Sequence, residues 1–371
     1  MDLLKGVRVL DATSVLAGPL CTYLLALSGA EVIKVEGPPS GDFSRNAGPD
    51  SSLNERLMGA SFLPQNGGKR SISIDLKTEA GKALFRRLAQ EADVVVENFR
   101  PGVMRRLGLD YERLKEVNPR LIYCAISGDA ETGPVKAGFQ FCDTAAAMMG
   151  AYAIAAALVR RHKTGSGAFL DVAMLDTALF TIGWPLAHFL STGQAPRAMG
   201  NHNVTGCPSG TFRTADGLLN LVTNTEAQFA ALCRILGKPE WLSDPRFATR
   251  DERLRHRDAM TQVLEVELAA RSAAEWDELF AAADVPAAKV LGIPEILAHP
   301  QIAARGFVHR FAAIPGVERD VAVPTAGFQV DGQPLAPNAP PPRLGQDTDR
   351  ILSEMGLSHE DVEALRQGGA L

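Results

Sequence analysis

Three short stretches of the 371-residue sequence put polar side chains where an α/β protein holds a ligand. The first is SVLAGP, from Ser14 to Pro19, which follows one apolar run and opens the next. Unpaired backbone N–H groups at a helix start attract phosphate or carboxylate, and Pro19 suits a first helical turn because its missing N–H costs nothing there. The second stretch is Glu97-Asn98, and the third is Ser127, Gly128 and Asp129. Each follows a further apolar run, and parallel sheets bind ligands at the carboxyl ends of their strands. Lys69, Arg70, Arg105 and Arg106 add positive charge close by in the sequence. Together these groups point to a polyphosphate ligand. Neither G-x-G-x-x-G nor G-x-x-x-x-G-K-[ST] occurs, so an ordinary dinucleotide site and a P-loop have no support.

Asp143 stands at the start of the longest uncharged run, residues 144–159. It reads as the N-cap of an apolar helix, which is a sufficient structural role. A carboxylate at the edge of an apolar helix also suits an acid/base or a nucleophile. The sequence leaves both roles open. The seven histidines have no metal-like spacing, so no metal is expected, and no G-x-S-x-G elbow is present.

The elements that must position these groups follow from periodicity. Residues 3–36 read as strand, turn, helix and strand, a β-α-β unit. Strands are predicted near 72–74, 94–96 and 121–126, with a helix over 82–91 that Thr78 is placed to cap. Such alternation predicts an α/β fold with a mostly parallel sheet and helices on both faces. Residues 170–190 read as a short strand leading into a helix. Composition shifts near residue 191. A hairpin turning at Ala215-Asp216-Gly217 and charged helices over 227–236, 251–270 and 274–283 then suggest a smaller α+β domain. Residues 332–344 are a proline-rich connector, and Ser358 with Asp361 marks a last helix start.

Hydrophobic residues make up 46% and charged residues 22%, as in globular proteins with a large core. A net charge of −5 with mixed signs argues against a general nucleic-acid binder. The five cysteines are far apart without a C-x-x-C pair, which suggests reduced, mostly buried thiols in the cytoplasm. No signal peptide is visible, and the run at 144–159 falls short of a membrane span, so no membrane association is expected.

The segment LKGVRVLDATSVLAGPLCTYLLALSGAEVIKVEGPPSGD resembles the opening of the class III coenzyme A transferases, the CaiB/BaiF family, which also contains formyl-CoA transferase and α-methylacyl-CoA racemases. The resemblance continues through NGGKRSISIDLKT, DVVVENFRPGVMRRLGL, NPRLIYCAISG, RHKTGSGAFLDVAMLD, GNHNVTGCPSGTFRTADG and LGQDTDRIL. It implies a Rossmann-like large domain from residues 1–190 and 330–371, a small α+β domain from 191–329, and a homodimer of interlocked rings. Coenzyme A or acyl-CoA, as substrate, would contact Ser14, Val15, Leu16, Ala17, Ile74, Lys77, Asn98 and Arg106. Gly37 stands where the family commonly has an arginine.

After Ser127-Gly128 the chain departs from the family pattern. About thirty residues are missing, with the aspartate that takes the acyl group in transferases and the histidine used by racemases. Asp143 matches a second aspartate that racemases use as an acid/base, and Glu226 resembles a glutamate near their site. The resemblance therefore implies CoA transfer between an acyl-CoA and a carboxylic acid, with Asp129, Glu131 or Asp143 as substitute carboxylates. α-Methylacyl-CoA racemase-like proton chemistry, a non-catalytic acyl-CoA-binding subunit paired with an active paralogue, and a sequence lacking a natural segment stand beside it.

Overall fold

The computed structural model describes residues 3–127, 140–195, 199–203, 206–312, 314, 316–317 and 319–371. Asp129 and Glu131 lie outside the described residues. Two compact units divide the chain: Met1–Ser191 with Pro300–Leu371, and Thr192–His299.

The first unit begins with β1 (Arg8–Ala12), α1 (Ala17–Leu27), β2 (Glu31–Glu36) and the short α2 (Ser51–Glu55). It continues through β3 (Arg70–Ser73), α3 (Glu79–Glu91), β4 (Val94–Glu97), α4 (Val103–Leu107), α5 (Tyr111–Val117) and β5 (Ile122–Ser127). Then come α6 (Phe141–Thr164), β6 (Ala168–Ala173), α7 (Met174–Ile182) and α8 (Trp184–Thr192). The six strands pair in parallel in the order β3-β2-β1-β4-β5-β6. This is the doubly wound order, whose direction reverses between β1 and β4 and leaves a crevice at their carboxyl ends.

The inner strands are buried on both faces, which is why they read as unbroken apolar runs. Alternate residues serve alternate faces. Leu10, Ile33, Val95 and Tyr123 pack with Leu84, Phe85 and Leu88 of α3, while Val9, Val32, Val94 and Ile122 pack towards α1 and α6. Thr78 caps α3 as expected, accepting from the Gly81 N–H at 3.0 Å.

Helix α6 has 24 residues, longer than its uncharged run, and by length and composition is able to cross a membrane. Its small-residue face, Ala145, Ala146, Ala147, Gly150, Ile154 and Ala157, is buried instead. A side chain at Gly150 would start 3.1 Å from Cys21 Sγ, so the close approach of α6 to α1 favours glycine there. The N-cap position is Gln140, and Asp143 lies three residues inside the helix. The expected N-cap role of Asp143 is thus corrected, although a carboxylate in the first turn still favours the helix dipole. The helix expected after β6 is broken into α7 and α8 at Gly183, whose φ is 65°.

In the second unit β7 (Ser209–Arg213) and β8 (Leu218–Val222) form the expected hairpin, and β9 (Ala287–Lys289) adds to β8. Helices α9 (Glu226–Ile235), α10 (Arg250–Arg255), α11 (Arg257–Leu268) and α12 (Ala273–Ala281) surround this sheet, α11 against β7 and α12 against β8 and β9. The helix expected over 251–270 is two helices, because the His256 backbone (φ −105°, ψ 30°) leaves the helical region. Phe212, Leu219, Phe229, Leu232, Trp276 and Phe280 fill the core.

Residues 300–329, which the resemblance places in the small domain, pack in the first unit. Val321 and Val323 join Met58 and Phe62 in one cluster, and Tyr23 Oη donates to the Pro324 carbonyl at 2.7 Å. The last helix carries the expected capping box of Ser358 and Asp361. The five cysteines are free, and four are buried; Cys142, in the first turn of α6, is exposed.

Candidate functional site

The SVLAGP turn sits at the carboxyl end of β1, beside β4, and three neighbouring segments hold its backbone. Asn98, just past β4, accepts the Ser14 N–H at 2.8 Å and donates to the Ser14 carbonyl at 2.7 Å. Asp42, in the loop after β2, accepts the Val15 N–H at 3.0 Å and the Ser14 hydroxyl at 2.9 Å through one oxygen. Gln65 donates to the Val15 carbonyl at 2.6 Å. Val15 has φ 72°, a left-handed conformation that a β-branched residue rarely adopts. Such strain, of order 1–3 kcal/mol, persists only where the surroundings over-determine it.

These contacts occupy the backbone N–H and carbonyl groups of both Ser14 and Val15. The N–H groups of Leu16, Ala17 and Gly18 follow at the start of α1, which no side chain caps. A Cβ on Gly18 would fall 2.4 Å from Thr13, so the tight entry into α1 requires glycine there. The half-exposed Val15 side chain lies on the outside of the turn. The arrangement can accept an anion at the helix start and an extended ligand across the turn.

Beneath the turn lies a fully buried polar network. Lys34 Nζ pairs with Asp42 at 2.9 Å and donates to the Thr13 carbonyl at 2.9 Å. Lys69 Nζ meets Asp11 at 3.0 Å and, at 2.9 Å each, the Pro19 carbonyl, the Thr22 hydroxyl and Asn66 Oδ1. Arg45 pairs with Glu36 through two bonds of 2.6 and 2.7 Å. Burial would raise the pKa of Asp42, but Lys34 and the N–H groups of Val15 and Ser44 outweigh it and hold the carboxyl well below its usual range. Asp11 is likewise lowered, by Lys34 and Lys69 against burial. Burial dominates at Lys69, whose pKa falls to about 8.

The other expected ligand residues are more scattered. Ile74 is fully buried in the core, so its side chain is closed to a ligand. Lys77 is exposed, with its N–H donating to Asp75 at 2.9 Å. Arg106 is exposed on α4. A Cβ on Gly37 would meet no atom within 4 Å. Glu97 is the last residue of β4. It lines a cleft of about 440 Å³ with Phe99, Arg100, Tyr123 and Asp171, and burial raises its pKa.

Asp143 is half-buried on α6 of the first unit. Glu226, at the start of α9 in the second unit, pairs with Arg253 at 2.8 Å. The Arg253 side chain is buried, donates to the Cys207 and Phe247 carbonyls at 2.9 Å each, and lies over the Phe229 ring. Arg253→Met is expected to cost about 2–4 kcal/mol by orphaning two buried carbonyls, measured as a fall in unfolding free energy.

Sequence reading missed Asp42, Gln65, Lys34 and Asp11 as supports of the turn. The run GD in GPPSGD was the available signal for Asp42, an Asp placed to begin a turn of 3₁₀ helix, and it does accept the Ser44 N–H.

Fold and turn together define an α/β protein of doubly wound topology with a tightly held turn at its switch point. The family model described as CoA-transferase family III matches residues 4–134 and 125–348. The chain belongs to that family. It is 35% identical to a succinate–glutarate CoA-transferase of Agrobacterium fabrum, with 95% of each chain covered. It is 31% identical to a succinyl-CoA:glutarate CoA-transferase of Mus musculus, covering 100% of this chain and 91% of the other. A crystal structure of a CaiB/BaiF family protein from Brucella suis matches with a TM-score of 0.82 and 32% identity, over 95% of this chain and 99% of that one. The mouse alignment spans 401 positions against 371 residues here, so about thirty are filled by the relative alone.

Proposed function

We propose that this protein binds an acyl-CoA and transfers CoA to a carboxylic acid, with the nucleotide end of CoA at Ser14, Val15, Leu16 and Ala17. The observation that carries the reading is the clamped left-handed turn at the switch point, in a chain of this family. Asn98 supports the turn, and Lys77 and Arg106 are cations for the phosphates. Ile74 takes part only as a core residue beneath the site. The named relatives act on succinyl-CoA, succinate and glutarate, which favours a dicarboxylate as acceptor.

Transfer begins when a carboxylate attacks the thioester carbonyl, giving a mixed anhydride and CoA thiolate. The thiolate attacks the enzyme carbonyl of that anhydride, releasing the first acid and leaving an enzyme-bound thioester. The incoming carboxylate attacks that thioester, forming a second anhydride, and the expelled thiolate takes the new acyl group. Asp143 is the described carboxylate proposed for this role, and Glu226 is the second candidate that the family resemblance supplies. Asp129 and Glu131 are the alternatives. No metal enters the scheme.

The exposed apolar side chains of α6 to α8 support the interlocked homodimer. Tyr152, Phe180, Trp184 and Leu190 are each more than 70% exposed in the single chain. A second reading, an acyl-CoA-binding subunit that works beside an active paralogue, is favoured by the thirty positions that the mouse relative alone fills.

The test mixes purified protein with succinyl-CoA and glutarate and follows glutaryl-CoA by mass spectrometry, with hydroxylamine added to trap an activated carboxylate. Glutaryl-CoA, with a hydroxamate on Asp143, Asp129 or Glu131, is the expected result. No product and no hydroxamate, with CoA still bound, would select the subunit reading. With a 2-methylacyl-CoA, deuterium entering the α-carbon in D2O would select racemase-like chemistry.

A further inference from the structure

We propose that Asp42 is a positioning residue for CoA: it holds the Val15 peptide in its left-handed conformation and so aims the N–H groups of Leu16, Ala17 and Gly18 at a phosphate of the cofactor. This rests on the reading that the SVLAGP turn is the CoA site. One carboxylate oxygen gathers the Val15 N–H, the Ser14 hydroxyl, the Ser44 N–H and the Ser44 hydroxyl, at 2.8–3.0 Å. Its other oxygen is tied to Lys34, and the whole group is 4% exposed. Gln65 holds the opposite end of the same residue through the Val15 carbonyl. Val15 would leave φ 72° if released, because the left-handed region disfavours its branched side chain. Asp42 itself touches no ligand in this arrangement. It removes in advance the ordering cost that binding would otherwise meet.

The test compares the full-length wild type with two double variants by calorimetry, using CoA, ADP and pantetheine as probes. Lys34→Met with Asp42→Ala removes the acceptor without leaving a buried cation. Lys34→Met with Asp42→Asn restores a carbonyl oxygen towards the Val15 N–H. The Ala variant is expected to bind CoA and ADP roughly tenfold more weakly or worse, with pantetheine unchanged. The Asn variant is expected to recover most of that loss. Equal CoA affinity in wild type and Ala variant would overturn the proposal, as would equal losses for all three probes in both variants. A wild type that does not bind CoA would overturn the functional reading itself, and the proposal with it. If the Ala variant does not fold, Val15→Pro decides. Proline fixes φ at about −65° and has no N–H for Asp42, so CoA and ADP affinity should fall roughly tenfold while pantetheine binding holds. Unchanged CoA affinity there would overturn the proposal.

Discussion

Lys69→Met is expected to destabilise the first unit by about 3–5 kcal/mol, seen as a lower urea midpoint. Methionine matches the length of the lysine stem and keeps the packing. What it removes is the ammonium group that meets Asp11, the Pro19 carbonyl, Thr22 and Asn66, all within 3.0 Å. Asp11 is completely buried, so its carboxylate would lose one of its two nearby cations inside the protein. Breaking one side of a buried pair costs far more than replacing both sides, since the remaining ion keeps its desolvation penalty. Lys69→Met combined with Asp11→Asn should therefore recover most of the loss. A single variant that unfolds within about 1 kcal/mol of wild type would show that the pair does not hold the turn. The same lysine ties the first turn of α1 to the sheet, so CoA binding by the single variant should weaken as well.

Acid is expected to unfold the protein through the same network. Unfolded aspartates titrate near 3.8, whereas Asp11 and Asp42 both titrate lower in the folded chain. Below the unfolded value the unfolded state binds more protons, so stability falls as pH drops. The contribution is complete above about pH 5 and is lost progressively beneath it, of order 3 kcal/mol for Asp42 alone. Lys34→Met with Asp42→Asn should flatten this acid limb of a melting-temperature profile. An unchanged slope would assign the acid sensitivity to other groups. Lys69 works in the opposite sense. Its folded pKa of about 8 lies under the ordinary 10.5, so keeping it charged costs stability at neutral pH, and that cost fades as pH rises above 8.

The local features were legible because short-range physics decides them. The apolar runs of β1, β2, β4 and β5 announce strands buried on both faces, and alternating strands and helices announce the parallel sheet. Thr78, Ser358 and the turn at Ala215-Asp216-Gly217 each act within three or four residues, and each stands where its residue type places it. The family, too, was legible, since its motifs follow in order along the chain.

The sequence by itself determined the strand pattern, the helix starts and the turn that follows β1 at Ser14. Only the tertiary structure decided what holds that turn. Lys69 and Asp11 are 58 residues apart, and Asn98 reaches Ser14 across 84. Such pairs form because the doubly wound order lays β4 and the loops after β2 against the end of β1, and no local periodicity encodes that meeting. The same holds for Val15, whose left-handed backbone no propensity would assign to a valine. Asp143 lies in the first turn and not at the cap because α6 starts at Phe141, with Gln140 at the cap position. Residues 300–329 joined the first unit, where Val321 and Val323 cluster with Met58 and Phe62, a long-range burial that no local pattern encodes.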